Sequence, residues 1–185
     1  MKTILTDNLL ELAFKVGKLR NDSCKEVGIY SNKKSKRRSN FWIDYNGAAG
    51  EIAFAKMMFE KNILSEKEYN LFLENIKNNE IKPASLGLDD GDIRIRKFNI
   101  DVKTSEYRSA HLWLTSNKKG TNLIDYYALL IGNVDNAKKD NLSQSYVEFE
   151  LKGFMSHIDA IKNWNKTYSG ISGKFHQSEL VDNIF

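Results

Sequence analysis

The chain has 185 residues, 41% of them hydrophobic and 28% charged, enough apolar material for one real core and too much for wholesale disorder. A single domain over residues 1–185 is therefore the expectation, with an N-terminal helix and basic loop (1–40) leading into a core (41–185). The net charge of +4, with a pI near 9.0, permits a nucleic-acid partner without requiring one.

In chain order, "TDNLLELAFKVGKLR" sets Leu9, Leu12, Ala13, Val16 and Leu19 at helical spacing, with Thr6 or Asp7 as cap. The run "SNKKSKRRSN" then holds five cations, Lys33, Lys34, Lys36, Arg37 and Arg38, and no anion. It reads either as a solvated loop or as an arm contacting phosphates. "DYNGAAGEIAFAKMMFEKN" predicts a second helix, rich in small residues at its start. "SEKEYNLFLENIKNN" predicts a third, with Ser65 and Glu68 as a capping box and Tyr69, Phe72, Leu73 and Ile76 as its apolar stripe.

After Pro83 the hydrophobic period changes from helical to two. "GDIRI" and "NIDVKT" predict paired strands, and "AHLWLT" a further short one. "NKKGTN" reads as a turn or short helical segment. "DYYALLIGNV" is nearly continuous in apolar residues and predicts a strand covered on both faces. "DNAKKDNLSQ" reads as an exposed loop, "YVEFELKGF" as an alternating strand, and "SHIDAIKNW" as a short helix capped by Ser156 with Asp159 at the box position. The tail "GKFHQSELVDNIF" adds one edge strand. Helices followed by strands, with a late short helix, give an α+β or α/β/α domain.

The single cysteine, Cys24, excludes an intramolecular disulfide and a cysteine metal cluster, and points to a reducing, cytoplasmic setting. Asp7 and Glu11 interrupt any signal-peptide core, and runs such as "YYALLIG" are too short to span a bilayer, so no membrane association is expected. GxxxxGKS and GxGxxG are both absent. "DDGDIRIRKFNID" fails as an EF-hand loop, because its glycine and final glutamate are misplaced.

The segment "DGDIRIRKFNIDVKT" carries the most chemistry. Pairing its strands around "RKFN" sets Ile95 opposite Ile100 and Ile93 opposite Val102, with all four on one face. That register puts Asp92 opposite Lys103 and Arg94 opposite Asp101, gathering two carboxylates and an ammonium into one patch. Taken alone, such a hairpin is more often an ion-paired surface, each pair contributing roughly 0.2–1 kcal/mol, than a catalytic site. Glu51, on the helix opened by "GAAG", borders that helix's apolar side. It is either a first-turn acid favoured by the helix dipole or a third carboxylate aimed at the sheet.

A helical Glu, then a strand-leading Asp, then Asp-x-Lys on the next strand resembles the PD-(D/E)xK superfamily of restriction-endonuclease-like nucleases. The matching residues are Glu51, Asp92 and "DVK" at Asp101, Val102 and Lys103, and the resemblance covers roughly residues 40–180. The name-giving proline is absent, since Gly91 precedes Asp92. The resemblance implies a restriction-endonuclease-like α/β/α core with a mixed central sheet and extra N-terminal helices. It implies a metal-dependent endonuclease cleaving duplex or branched DNA, of Holliday-junction-resolvase, phage or restriction type, with a homodimer as one possible assembly.

By the same resemblance, Asp92, Asp101 and the Val102 carbonyl hold Mg²⁺ or Mn²⁺, Glu51 ligates directly or through water, and Lys103 orients the attacking water. The alternatives are a non-catalytic DNA-binding module that keeps the fold, and a nuclease acting on RNA. The exonuclease-type Gln-x-x-x-Tyr after the lysine motif is missing. Lys118 and Lys119, with Tyr107, Arg108 and Trp113, mix basic and aromatic character and are a second candidate nucleic-acid surface. His111, His157 and His176 are scattered and carry no pattern.

Overall fold

The structure, a computed structural model, describes residues 1–26, 38–78, 91–107, 112–115, 123–139, 145–162 and 172–175, with the backbone alone for 112–115, 139 and 172–175. The fold is mixed α/β. Strands β1 (Lys2–Thr6), β2 (Ile93–Ile95), β3 (Phe98–Ser105), β5 (Tyr126–Ile131) and β7 (Ser145–Ser156) form the main sheet in the order β1-β7-β5-β3-β2. The two-residue β6 (Lys138–Lys139) adds to β7. Among the described residues of this sheet, β3 and β5 run parallel and the other pairings are antiparallel.

Helices α1 (Asp7–Glu26), α2 (Asn40–Glu60) and α3 (Glu66–Lys77) share one apolar cluster with one face of the sheet. The short α4 (His157–Lys162) places Ala160 among Tyr127, Leu129, Ile131 and Met155 on the other face. The strand "DYYALLI" is therefore covered on both sides, as its continuous apolar run predicts. Among the described residues, no helix is long and apolar enough to cross a membrane.

Local rules explain most of the elements. The α3 capping box is present in full: the Glu68 amide donates to Ser65 Oγ, and the Ser65 amide donates to the Glu68 carboxylate at 2.7 Å. The Asp159 amide donates to Ser156 Oγ at 3.0 Å and so fixes the start of α4. Helix α2 begins four residues before the expected Asp44, because Ser39 caps it and accepts the Trp42 amide at 3.1 Å. Its small residues at 48–50 and at Ala53 and Ala55 bury it on nearly every side. A Cβ at Gly50 would meet Thr104 Oγ1 at 1.8 Å, so α2 lies almost against β3.

Three expectations are corrected. Strand β1 was not anticipated: five residues alternating around Thr3 and Leu5 pair with β7, which makes the N-terminus part of the sheet. Strand β4 (Leu112–Thr115) leaves the main sheet and pairs with β8 (Ser172–Phe175), the edge strand expected in the tail, in a sheet of two. The hairpin register is Ile93↔Ile100, Arg94↔Asn99 and Ile95↔Phe98, slipped by two residues from the expected one. A slip of two leaves the same isoleucines facing inward, so hydrophobic alternation cannot tell the two registers apart. The turn decides: Arg96 adopts φ +55, the connection shortens to Arg96–Lys97, and Phe98 packs edge-on against Tyr126 at 5.2 Å between ring centroids.

Candidate active site

Helix α1 crosses α2 closely because Gly17 has no side chain: a Cβ there would sit 2.5 Å from the Tyr45 Cα. One turn further along α1, Arg20 reaches Glu51 on α2. Its two terminal nitrogens lie 2.5 and 2.7 Å from the two carboxylate oxygens, a bidentate pair. Both side chains are largely buried, 16% and 8% exposed. Burial works against the Arg20 charge, but Glu51, with Asp92 and Asp44 beyond it, more than offsets this and holds its pKa above the usual arginine value. For Glu51, burial outweighs the pull of Arg20 and raises the carboxyl pKa.

Asp92 stands just before β2. Its amide donates to the Ile100 carbonyl at 2.8 Å, and its carboxylate accepts the Val102 amide at 2.6 Å. Ile100 and Val102 lie two apart on β3, so both turn their backbone groups to this edge, and the Val102 carbonyl faces the Asp92 side. Burial, and next the nearby Asp101, push the Asp92 pKa up to about 7, although Lys103, Arg20 and the Val102 amide oppose the shift.

Asp101 and Lys103 project from the opposite face of β3. Asp101 is in register with Tyr127 and fully buried. Lys103 Nζ contacts both Asp101 oxygens, at 2.6 and 2.7 Å. Burial disfavours the Lys103 charge, but Asp101 and Asp92 prevail and raise its pKa. The Tyr127 hydroxyl is likewise held protonated, by burial and by Asp101, and lies 2.8 Å from His157 Nδ1.

The four residues singled out in the sequence thus meet at one sheet edge, but not by the expected contacts. Asp92 is not opposite Lys103. Arg94 is exposed opposite Asn99, and the Asp101 partner is the lysine two residues along its own strand. Asp92 is the hinge of the group: its field reaches Glu51 and Arg20 on one side and Asp101 and Lys103 on the other. Glu51 and Asp92 also border a cleft of about 810 Å³ between α3 and the β2–β3 hairpin, with Arg94, Asn75 and Asn99 in its wall.

Arg20 is not among the residues that the sequence pattern singles out. The available signal was a cation extending the buried stripe Ala13–Val16 of α1 by one more helical step. Of the candidate nucleic-acid residues, Lys33, Lys34, Lys36, Arg37, Lys118 and Lys119 lie outside the described residues, as do Arg108, His111, His176 and the "NKKGTN" segment. Arg38 is described. It pairs with Glu106 at 2.6 Å and with Asp135, and stands 4.3 Å over the Trp42 ring.

Three carboxylates at the edge face two cations, and all the donors are hard oxygens of the kind Mg²⁺ and Mn²⁺ take. Among the described residues no three His, Cys, Asp or Glu side chains stand in a ready ligating arrangement, since Arg20 and Lys103 hold two of the carboxylates. Among the same residues no cation sits directly on Asp92, whose charged form burial and Asp101 disfavour. By donor chemistry Asp92 and the Val102 carbonyl suit a divalent cation, and Asp101 would join them only by sharing its oxygens with Lys103.

A family model described as a family of unknown function, DUF5843, matches residues 1–163, and the chain belongs to that family. No curated protein and no solved structure matches it.

Proposed function

We propose that this member of DUF5843 is a metal-dependent endonuclease with a restriction-endonuclease-like core, hydrolysing DNA phosphodiester bonds at the edge where Asp92, Asp101, Lys103 and Glu51 converge. The observation that carries the reading is the Asp92 carboxylate itself: buried, seated on the Val102 amide and beside the Asp101–Lys103 pair. Asp92, Asp101 and the Val102 carbonyl would hold Mg²⁺ or Mn²⁺. Such an ion lowers the pKa of its water and neutralises charge on phosphoryl oxygens.

The chain's own groups supply the rest. Lys103 stays protonated, so it serves as a positive charge and donor beside the phosphorus rather than as a proton acceptor. Asp101 fixes the ammonium from two oxygens and so limits where that charge points. Helix α2, pressed against β3 at Gly50 and Thr104, keeps Glu51 at a set depth behind Asp92. A second reading is favoured by the Arg20–Glu51 and Lys103–Asp101 pairs: a self-compensated ionic cluster in a non-catalytic binding module.

The test is nicking of plasmid and branched DNA, with an RNA arm, in Mg²⁺ or Mn²⁺, comparing the wild type with Asp92→Ala and Lys103→Ala. The proposal expects metal-dependent nicking, with losses of about 100-fold or more in both variants. Folded wild-type protein that cuts no substrate leaves the binding-module reading. Undiminished variants exclude this site.

A further inference from the structure

Arg20 has no counterpart in the nuclease pattern read from the sequence, yet it is the side chain most tightly committed at the site. It meets Glu51 through two short bonds, it is buried, and it is fixed by a helix crossing that tolerates no side chain at Gly17. We infer that Arg20 is a positioning residue that holds Glu51 out of direct metal coordination, so that a divalent cation rests on Asp92, Asp101 and the Val102 carbonyl and Glu51 acts on it through water. The inference rests on the endonuclease reading and concerns the division of labour within that site.

A guanidinium fork takes both oxygens of a carboxylate in the carboxylate plane. Direct ligation by Glu51 would have to share or surrender one of those oxygens. Surrender leaves two buried charges with a weakened partnership, which is strongly unfavourable in a dry setting. Arg20 cannot relieve the conflict by losing its proton, because a guanidinium stays charged in proteins. Nor can it drift away, because the Gly17–Tyr45 contact locks the two helices one turn from the pair. Asp92 is in the opposite situation: its carboxylate accepts the Val102 backbone amide through a single oxygen. The two carboxylates on the cleft wall are therefore unequal, one clamped and one open to a cation. Asp101 is also contacted on both oxygens, but by one ammonium on a flexible, 31% exposed side chain that can swing aside for a cation, which the planar fork of Arg20 cannot do.

The experiment is Mn²⁺ titration of the full chain by calorimetry and electron paramagnetic resonance, alongside kcat and KM for plasmid nicking. It compares wild type, Asp92→Asn, Glu51→Gln and Arg20→Lys. The Arg20→Gln/Glu51→Gln double variant, which removes both charges together, checks folding if Arg20→Lys unfolds. Glu51→Gln and Arg20→Lys are expected to weaken Mn²⁺ binding by no more than about tenfold, the lower end of what partners outside the ligand set cost. Asp92→Asn should abolish it. Arg20→Lys keeps the charge but not the two-oxygen grip, so kcat should fall about 100-fold at unchanged KM.

A wild-type kcat in Arg20→Lys would mean that Arg20 merely neutralises Glu51, and the inference fails. Loss of Mn²⁺ binding in Glu51→Gln as complete as in Asp92→Asn makes Glu51 a direct ligand, and the inference fails while the nuclease reading stands. A wild type that binds no Mn²⁺ at all removes both.

Discussion

Val102 donates its amide to the Asp92 carboxylate at 2.6 Å, in the place where the next rung of the β2–β3 ladder would lie. The rung is missing because the chain turns away at Gly91, which holds φ +91. A backbone in that region suits glycine and excludes proline, whose ring fixes φ near −65°. The departure from the nuclease motif at position 91 therefore has a local cause. Restoring the motif with Gly91→Pro is expected to destabilise the protein by more than about 1 kcal/mol. Urea unfolding measures it, and a variant as stable as the wild type would contradict this account of Gly91.

The same carboxylate sets a pH dependence. Asp92 titrates near pH 7 in the folded chain, raised by burial and by Asp101, against an ordinary 3.8 when unfolded. Between those values the folded state holds a proton that the unfolded state has released. The stability from this group is thus fully present below pH 3.8 and is lost as pH rises through 7. Asparagine accepts the Val102 amide without ionising. Asp92→Asn should therefore gain on the wild type as pH rises, by at least about 1 kcal/mol between pH 5 and pH 8 in urea unfolding. Glu51, also raised by burial, remains in both proteins and keeps a residual slope. A wild-type-to-variant gap that stays constant with pH rules out the shift.

Much of this site was legible because strand periodicity survives small errors. The alternation of Ile93, Ile95, Ile100 and Val102 fixed which face each residue takes, and the two-residue slip left that assignment intact. What the alternation lacked was the turn: a non-glycine residue at φ +55 is a local choice that burial of Phe98 against Tyr126 makes worthwhile. The capping box at Ser65 was readable because its bonds are local in sequence. Arg20 was not, because its partner is 31 residues away and the pairing depends on how closely Gly17 lets two helices cross. Strand β1 was hidden by its length: five residues alternate too briefly to outweigh the helix that follows them.

Gly17 gives a structural test of that crossing. A methyl group there would meet Tyr45 backbone atoms at 2.5 and 2.7 Å, which cannot move without shifting α2. Gly17→Ala removes a helix-interior glycine, worth about 1 kcal/mol in favour of alanine on an exposed helix. The overpacking cost of about 1–3 kcal/mol should outweigh it, and the displaced α1 should loosen Arg20 from Glu51. The expected outcome is a lower urea midpoint together with a further rise in the Glu51 pKa, followed by NMR of its side-chain carboxyl. A stabilised variant would mean that the helices can separate freely at this point.

The basic run preceding α2 divides into two parts with different expected behaviour. Arg38 is already engaged by Glu106, Asp135 and the Trp42 ring, so it anchors the start of α2. Arg38→Ser leaves the partly buried Glu106 carboxylate with the Asn133 amide in place of a charged partner and should lower the urea midpoint. It should leave the salt dependence of DNA binding unchanged. Lys33, Lys34, Lys36 and Arg37 are the phosphate-contacting candidates of the run. Replacing these four by serine should weaken binding to duplexes of any sequence and flatten the plot of log affinity against log salt, by about 0.9 for each phosphate no longer neutralised. Filter binding at several salt concentrations reads both slopes. A slope unchanged in the fourfold variant returns the run to a solvated loop, and a slope reduced by Arg38→Ser alone would show that Arg38 leaves its intramolecular partners for the nucleic acid.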